Sequence, residues 1–136
     1  MRILGIDPGT AITGFAVIDT QNSQVIVRDI GCITTKSANG TPACLREIAE
    51  NLEEILEKWQ PDYAAVEKLY FSQNVTTAVT VAQARGVIIE TIHSHGVQIA
   101  EYLPRQIKMA VCGDGGADKK AVQKMMQLIT HLPSLP

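Results

Sequence analysis

One short break in an apolar run constrains this chain more than any other feature. Met1 to Ile6 reads as an apolar strand, and Asp7-Pro8-Gly9-Thr10 interrupts it. Proline fixes φ near –65° and glycine tolerates positive φ, so the four residues form a tight turn. Ile12 to Ile18 follow, rich in β-branched and aromatic residues, as a second strand. The result is a hairpin with a carboxylate, Asp7, at the tip of its first strand. A lone aspartate there would be read as a turn initiator. A second carboxylate in the same kind of place changes that reading, because Pro61 to Val66 is another short apolar strand and it ends in Glu67. Two acidic residues at the ends of two apolar strands can converge at one sheet end and hold a divalent cation.

The rest of the chain supplies the elements for such a sheet. Gln21-Asn22-Ser23 is a turn cluster, and Val25 to Thr35 reads as a third strand in an antiparallel meander. Thr41-Pro42 starts a helix, Thr41 as N-cap and Pro42 at the first helical position. This helix runs to Trp59 with an apolar face of Leu45, Ile48, Ala49, Leu52, Ile55, Leu56 and Trp59, and its glutamates lie on a solvated face. After the strand ending in Glu67 and an aromatic loop, Val75 to His93 reads as a second helix. It is apolar on two faces: Val75, Ala78, Val79, Ala82, Gly86 and Ile89 on one, and Thr77, Val81, Ala84 and Ile88 on the other. Such a helix is sandwiched between its own sheet and a second subunit, and a charge at Val81 or Ile88 is expected to give a monomer. Gly96 is the C-cap, Val97 to Glu101 a fifth strand, and Arg105 to Cys112 a short helix. A last helix, capped by Asp118, is expected to bury Val122, Met125, Met126 and Ile129. The order βββαβαβαα predicts an α/β fold with a five-stranded mixed sheet, an antiparallel meander plus parallel strands, flanked by helices.

Composition sets limits on what this fold does. The 136 residues suit one domain spanning 1–136. No apolar run reaches the roughly 20 residues that cross a bilayer, and no leader precedes the first strand, so a cytoplasmic protein without a membrane partner is expected. Cys32, Cys44 and Cys112 are odd in number and scattered, which argues against a disulfide framework or zinc site. His93 and His95, in an H-x-H at a helix end, read as solvent-facing. The net charge of –2 is not that of a nucleic-acid binder as a whole, so any such surface must be a local patch.

Five stretches in order, GIDPGT with TGFAVI, AVEKLYFSQN, AQARG, EYLPRQIK and GDGGADKKAVQKM, resemble the RuvC family of Holliday junction resolvases. Each is weak alone; together, with family-like gaps, they are specific. The resemblance implies an RNase H-like fold and a magnesium-dependent endonuclease that acts as a homodimer, nicks four-way junction DNA symmetrically in recombination and repair, and works with a branch-migration helicase complex. It implies Asp7 and Glu67 as catalytic metal-binding carboxylates for two Mg²⁺ ions, with Mn²⁺ as a substitute. It implies Tyr70 stacking on a base, and Lys108 and Lys119 near the scissile phosphate. Arg85, beside Gly86, is a candidate for DNA contact or dimer support. The family continues past an LP turn into a helix with D-x-x-D or D-x-x-H, which completes the metal site. This chain stops at Pro136, and Asp114 and Asp118 are poor substitutes. The expectation is therefore a weak metal site, low nuclease activity and apolar surface bare where that helix would pack.

Two other readings compete. A non-catalytic junction-binding module would keep Tyr70 and the lysines with an incomplete metal site. A nucleotide-binding fold of the actin and Hsp70 type shares the strand-Asp-x-Gly-Thr-strand hairpin, but 136 residues leave no second lobe to close over a nucleotide.

Overall fold

The computed structural model describes residues 1–9, 11–68 and 75–134. Five strands form one sheet in the order β3-β2-β1-β4-β5. The strands are β1 (Arg2–Asp7), β2 (Ile12–Gln21), β3 (Gln24–Thr34), β4 (Tyr63–Glu67) and β5 (Gln98–Tyr102); the helices are α1 (Thr41–Trp59), α2 (Val75–Ser94), α3 (Pro104–Cys112) and α4 (Lys119–Thr130). The first three strands are an antiparallel meander, whereas β4 and β5 lie parallel to β1 and to each other. The mixed sheet expected from the element order is the one observed.

Alternation along the strands splits the sheet into two faces. Leu4 and Ile6 of β1, Val17 of β2, Ile33 of β3, and Ala64 and Val66 of β4 turn to one side and are buried. They meet Ile48, Leu52 and Leu56 of α1 and Ala84, Ile88 and Ile92 of α2, which completes the core. The opposite side carries Asp7 and Glu67, and also leaves Ile12, Ile30 and Tyr63 exposed by 58%, 43% and 42%. No helix among the described residues is long and apolar enough to cross a membrane.

The helix ends show why several boundaries are where they are. Thr41 lies inside α1 rather than capping it: Gly40 is the N-cap, no side chain caps the helix, and a short 3-10 turn at Ser37–Asn39 leads in. Gly96, at φ +73°, closes α2 as expected of a left-handed C-terminal residue. Gly96 N–H donates to His93 O and Val97 N–H to Ile92 O, the paired bonds of a Schellman end. Asp118 caps α4 by accepting from Ala121 N at 2.8 Å.

Two expectations about helix faces are corrected. In α2, Ile88 is fully buried in the core and belongs to the sheet side, whereas Val75 and Val79, 73% and 52% exposed, form the outward face. A charge at Ile88 would therefore attack the core, not a subunit contact. In α4, Val122 and Met126 are half-buried, while Met125 and Ile129 stay exposed. Among the described residues this helix packs mainly against α3 and the edge strand β3, and its apolar stripe stays partly uncovered.

Ile88→Ala should lower the unfolding free energy by about 2–4 kcal/mol, the range for truncating a buried Ile side chain. Urea unfolding followed by circular dichroism measures it. A loss under about 1 kcal/mol would remove Ile88 from the core.

Candidate metal centre and its surroundings

The site grows out of the pairing of β1 with β4. The parallel register runs Ile3↔Tyr63, Leu4↔Ala64, Gly5↔Ala65 and Ile6↔Val66. One step further are Asp7 and Glu67, the last residues of their strands. Neighbouring strands lie about 4.8 Å apart, and residues in register point to the same face, so the two carboxylates stand side by side.

The turn after Asp7 holds this geometry. A Cβ on Gly9 would overlap the Ile12 carbonyl, so only glycine fits. Thr13, buried, accepts from Gly9 N through its hydroxyl at 3.4 Å and donates to Gly9 O at 3.2 Å. Sequence reasoning missed this role; a buried threonine four residues after an Asp-Pro-Gly turn was its signal. Across from Asp7 stands Gly14, where an added Cβ would lie 3.8 Å from the Asp7 Cβ, so the carboxylate has an open flank.

Burial first, then a hydrogen bond with the Asp7 carboxyl, then the charge of Asp7 push the Glu67 carboxyl up to about 7. Lys108 of α3 pulls in the opposite direction, which places its ammonium within electrostatic reach of Glu67. Two carboxylates so close cannot both ionise cheaply, and the cost appears at Glu67. Hard oxygen donors crowded to this degree fit a divalent cation such as Mg²⁺, which is commonly held by one or two carboxylates plus substrate phosphate. No group of three or more Asp, Glu, His or Cys gathers among the described residues. Asp114 accepts from Gly116 N in its own turn and Asp118 caps α4, so both carboxylates serve local structure, in line with the expectation that they are poor substitutes.

The remaining candidates divide. Lys108 is half-buried on α3. Lys119 is exposed on the first turn of α4, and no described contact ties it to the pair. Tyr70 lies outside the described residues. Arg85, the candidate for DNA contact or dimer support, has a side chain only 19% exposed, and its Nη2 sits 2.6 Å from Glu101 Oε2 on β5. Its charge is committed inside the fold, on the helix-covered face of the sheet. His93 and His95 are exposed, as expected, with Nδ1 of His95 at 2.9 Å from Thr91 O.

The family model described as crossover junction endodeoxyribonuclease RuvC matches residues 3–136. The chain belongs to the RuvC family. The crossover junction endodeoxyribonuclease RuvC of Brevibacillus brevis is 49% identical over 136 residues, covering 100% of this chain and 82% of that protein. That of Finegoldia magna is 43% identical, covering 100% and 83%. The structure of T. thermophilus RuvC in complex with Holliday junction substrate superposes with a TM-score of 0.94 at 27% identity, covering 100% of this chain and 83% of that one. The fold is thus RNase H-like, as the RuvC resemblance implied.

The raised Glu67 carboxyl sets a pH dependence of stability. The folded chain holds this proton more tightly than the unfolded chain, so stability falls as pH rises from about 4.3 through about 7. Asp19, held well below the usual carboxylate range by Arg2 and then Arg28, acts only below about pH 4 and does not interfere. Between pH 5 and 8, without divalent cation, unfolding free energy should drop by on the order of 1 kcal/mol, a value reduced for solvent screening at a half-exposed group. Glu67→Gln should flatten the profile. An unchanged profile in that variant would separate Glu67 from the effect.

Proposed function

We propose that this protein is a Holliday junction resolving endonuclease that hydrolyses phosphodiester bonds in four-way DNA junctions during recombination and repair. The observation that carries the reading is the Asp7–Glu67 pair, on adjacent parallel strand ends and faced by Lys108, inside a fold superposing over its full length on a RuvC bound to a junction.

The finer proposals follow from the chemistry. Asp7 and Glu67 are the catalytic residues and the metal ligands, for two Mg²⁺ ions or Mn²⁺ in their place. When bound, the cations lower the pKa of the attacking water and stabilise the leaving oxygen. The chain's own part is to fix two carboxylates in register, to release the proton that Glu67 holds, and to direct the Lys108 ammonium towards an incoming phosphate. Lys119 supplies further positive charge on the same C-terminal half, and Tyr70 offers an aromatic face; stacking a base on such a face is worth about 1–3 kcal/mol and tolerates any sequence. The protein acts in the cytoplasm, where bacterial DNA lies, together with a branch-migration helicase complex.

A synthetic four-way junction with and without Mg²⁺ tests the assignment. Asp7→Asn and Glu67→Gln should each reduce cleavage at least about 100-fold while junction affinity changes less than about threefold, because the lost negative charges hold cation rather than DNA. Binding without any Mg²⁺-dependent cleavage by the unmodified chain would favour the junction-binding module. Joining the part of the Brevibacillus brevis relative that lies beyond the matched residues to residue 136 should raise the rate. Equal rates would show that this part is dispensable.

The homodimer is placed on the outward face of α2. Val75 and Val79, with Ala82 and Gly86 alongside, offer apolar and small side chains that a second copy can cover. Val79→Glu should yield a monomer in sedimentation at micromolar concentration with little loss of stability, since this side chain lies outside the core. A monomeric unmodified chain would refute the placement.

A further inference from the structure

We propose that Arg85 is a positioning residue for the nuclease site, acting through Glu101 from the opposite face of the sheet. Arg85 projects from α2, and its Nη2 meets Glu101 Oε2 at 2.6 Å, with side-chain exposures of 19% and 34%. Nε and Nη2 are both buried and make no hydrogen bond among the described residues, so the contact with Glu101 is an ion pair without hydrogen-bond geometry. A guanidinium so placed depends on the opposite charge of Glu101, and losing either partner would leave the other without its counter-charge.

The location gives the pair its consequence. Glu101 faces the helices; its neighbour Tyr102, one residue on, faces the other way and is the register partner of Glu67. Lys68 N–H donates to Tyr102 O at 2.7 Å, the last bond of the β4–β5 ladder and one residue beyond the carboxylate. α3 begins at Pro104, capped by Leu103 N–H donating to Gln106 Oε1 at 2.8 Å, and it carries Lys108. The end of β5 is therefore the single segment that flanks Glu67 on one side and sets the start of the Lys108 helix on the other. β5 is a five-residue edge strand with β4 as its one strand neighbour, so its end would otherwise fray. The Arg85–Glu101 ion pair pins that end to α2, and through it holds the spacing between Glu67 and Lys108.

Hydrogen exchange and cleavage, measured on the same variants, test this. In Arg85→Gln the Lys68 amide should exchange about tenfold faster while the Leu4 and Val17 amides keep their protection, the signature of local rather than global opening. The single-turnover cleavage rate at saturating junction should fall about tenfold with affinity within about twofold, because positioning acts on the reacting geometry and not on the DNA grip. Arg85→Lys should restore both, since one N–O contact needs a cation and not the guanidinium fork. If Arg85→Gln does not fold, Glu101→Gln removes the same pair from its more exposed partner and is read identically. An unchanged Lys68 exchange rate, an equal acceleration at Leu4 and Val17, or an Arg85→Lys variant no better than Arg85→Gln overturns the proposal. The cleavage arm rests on the nuclease reading; the exchange arm does not, so absence of cleavage in the unmodified chain tests that reading alone.

Discussion

The parallel register of β1 with β4 is the constraint on which the rest depends. It is set on the helix side of the sheet, where Leu4, Ile6, Ala64 and Val66 are packed without exposure beyond 4%. Side chains alternate with a period of two, so a slip of one residue would turn Val66 to solvent and Glu67 into the core. Burial of four apolar side chains on one face thereby fixes two carboxylates on the other. The electrostatic cost of their closeness is visible in Glu67 and is the property that suits the pair to a cation.

The far end of the same strand pair is clamped by a different kind of interaction. Arg2 N–H donates to Asp62 Oδ2 at 2.7 Å, and Asp62 N–H donates to Arg2 O at 2.9 Å, joining the start of β1 to the approach of β4. The Arg2 guanidinium forks onto Asp19 of β2 at 2.8 and 3.0 Å and gives its remaining nitrogen to Trp59 O at the end of α1. Arg28 of β3 shares Asp19, and Trp59 Nε1 donates to Asp29 of β3. The Arg2 guanidinium thus ties β1 to β2 and α1, its main chain ties β1 to the approach of β4, and the neighbours add β3. The sheet is held rigid at the end remote from the carboxylates, which frees the other end to be built for chemistry and not for stability.

The acidic balance of the chain misled as a guide to its partner, and the structure shows why. Glu47, Glu50, Glu53, Glu54 and Glu57 all lie on α1, behind the sheet, whereas Arg105, Lys108, Lys119, Lys120 and Lys124 all lie on α3 and α4. The acids interspersed with them, Asp114 and Asp118, are held by backbone N–H groups. A net charge of –2 averages two oppositely charged sides, and only the side carrying α3 and Lys108 meets the Asp7–Glu67 pair.

The sequence by itself determined the order of the strands and longer helices, most of their ends to within two residues though β2 runs on from Ile18 to Gln21, the mixed sheet, and the two carboxylates that end β1 and β4. These follow from local rules: apolar period, turn chemistry and capping act between near neighbours. It also carried the family through five short stretches in order. Only the tertiary structure decided which way the ambiguous surfaces turn. The two apolar faces of α2 are equivalent on a helical wheel, and contact with β1, β4 and α1 selected the one bearing Ala84 and Ile88. The stripe of α4 has the right period and still lacks a partner broad enough to bury it. Arg85 had no partner legible in the sequence until the fold brought Glu101 to it across 16 residues of chain, and Thr13 looked like an ordinary strand residue until the turn closed on it. Each depends on groups far apart in sequence, whose meeting no local pattern encodes.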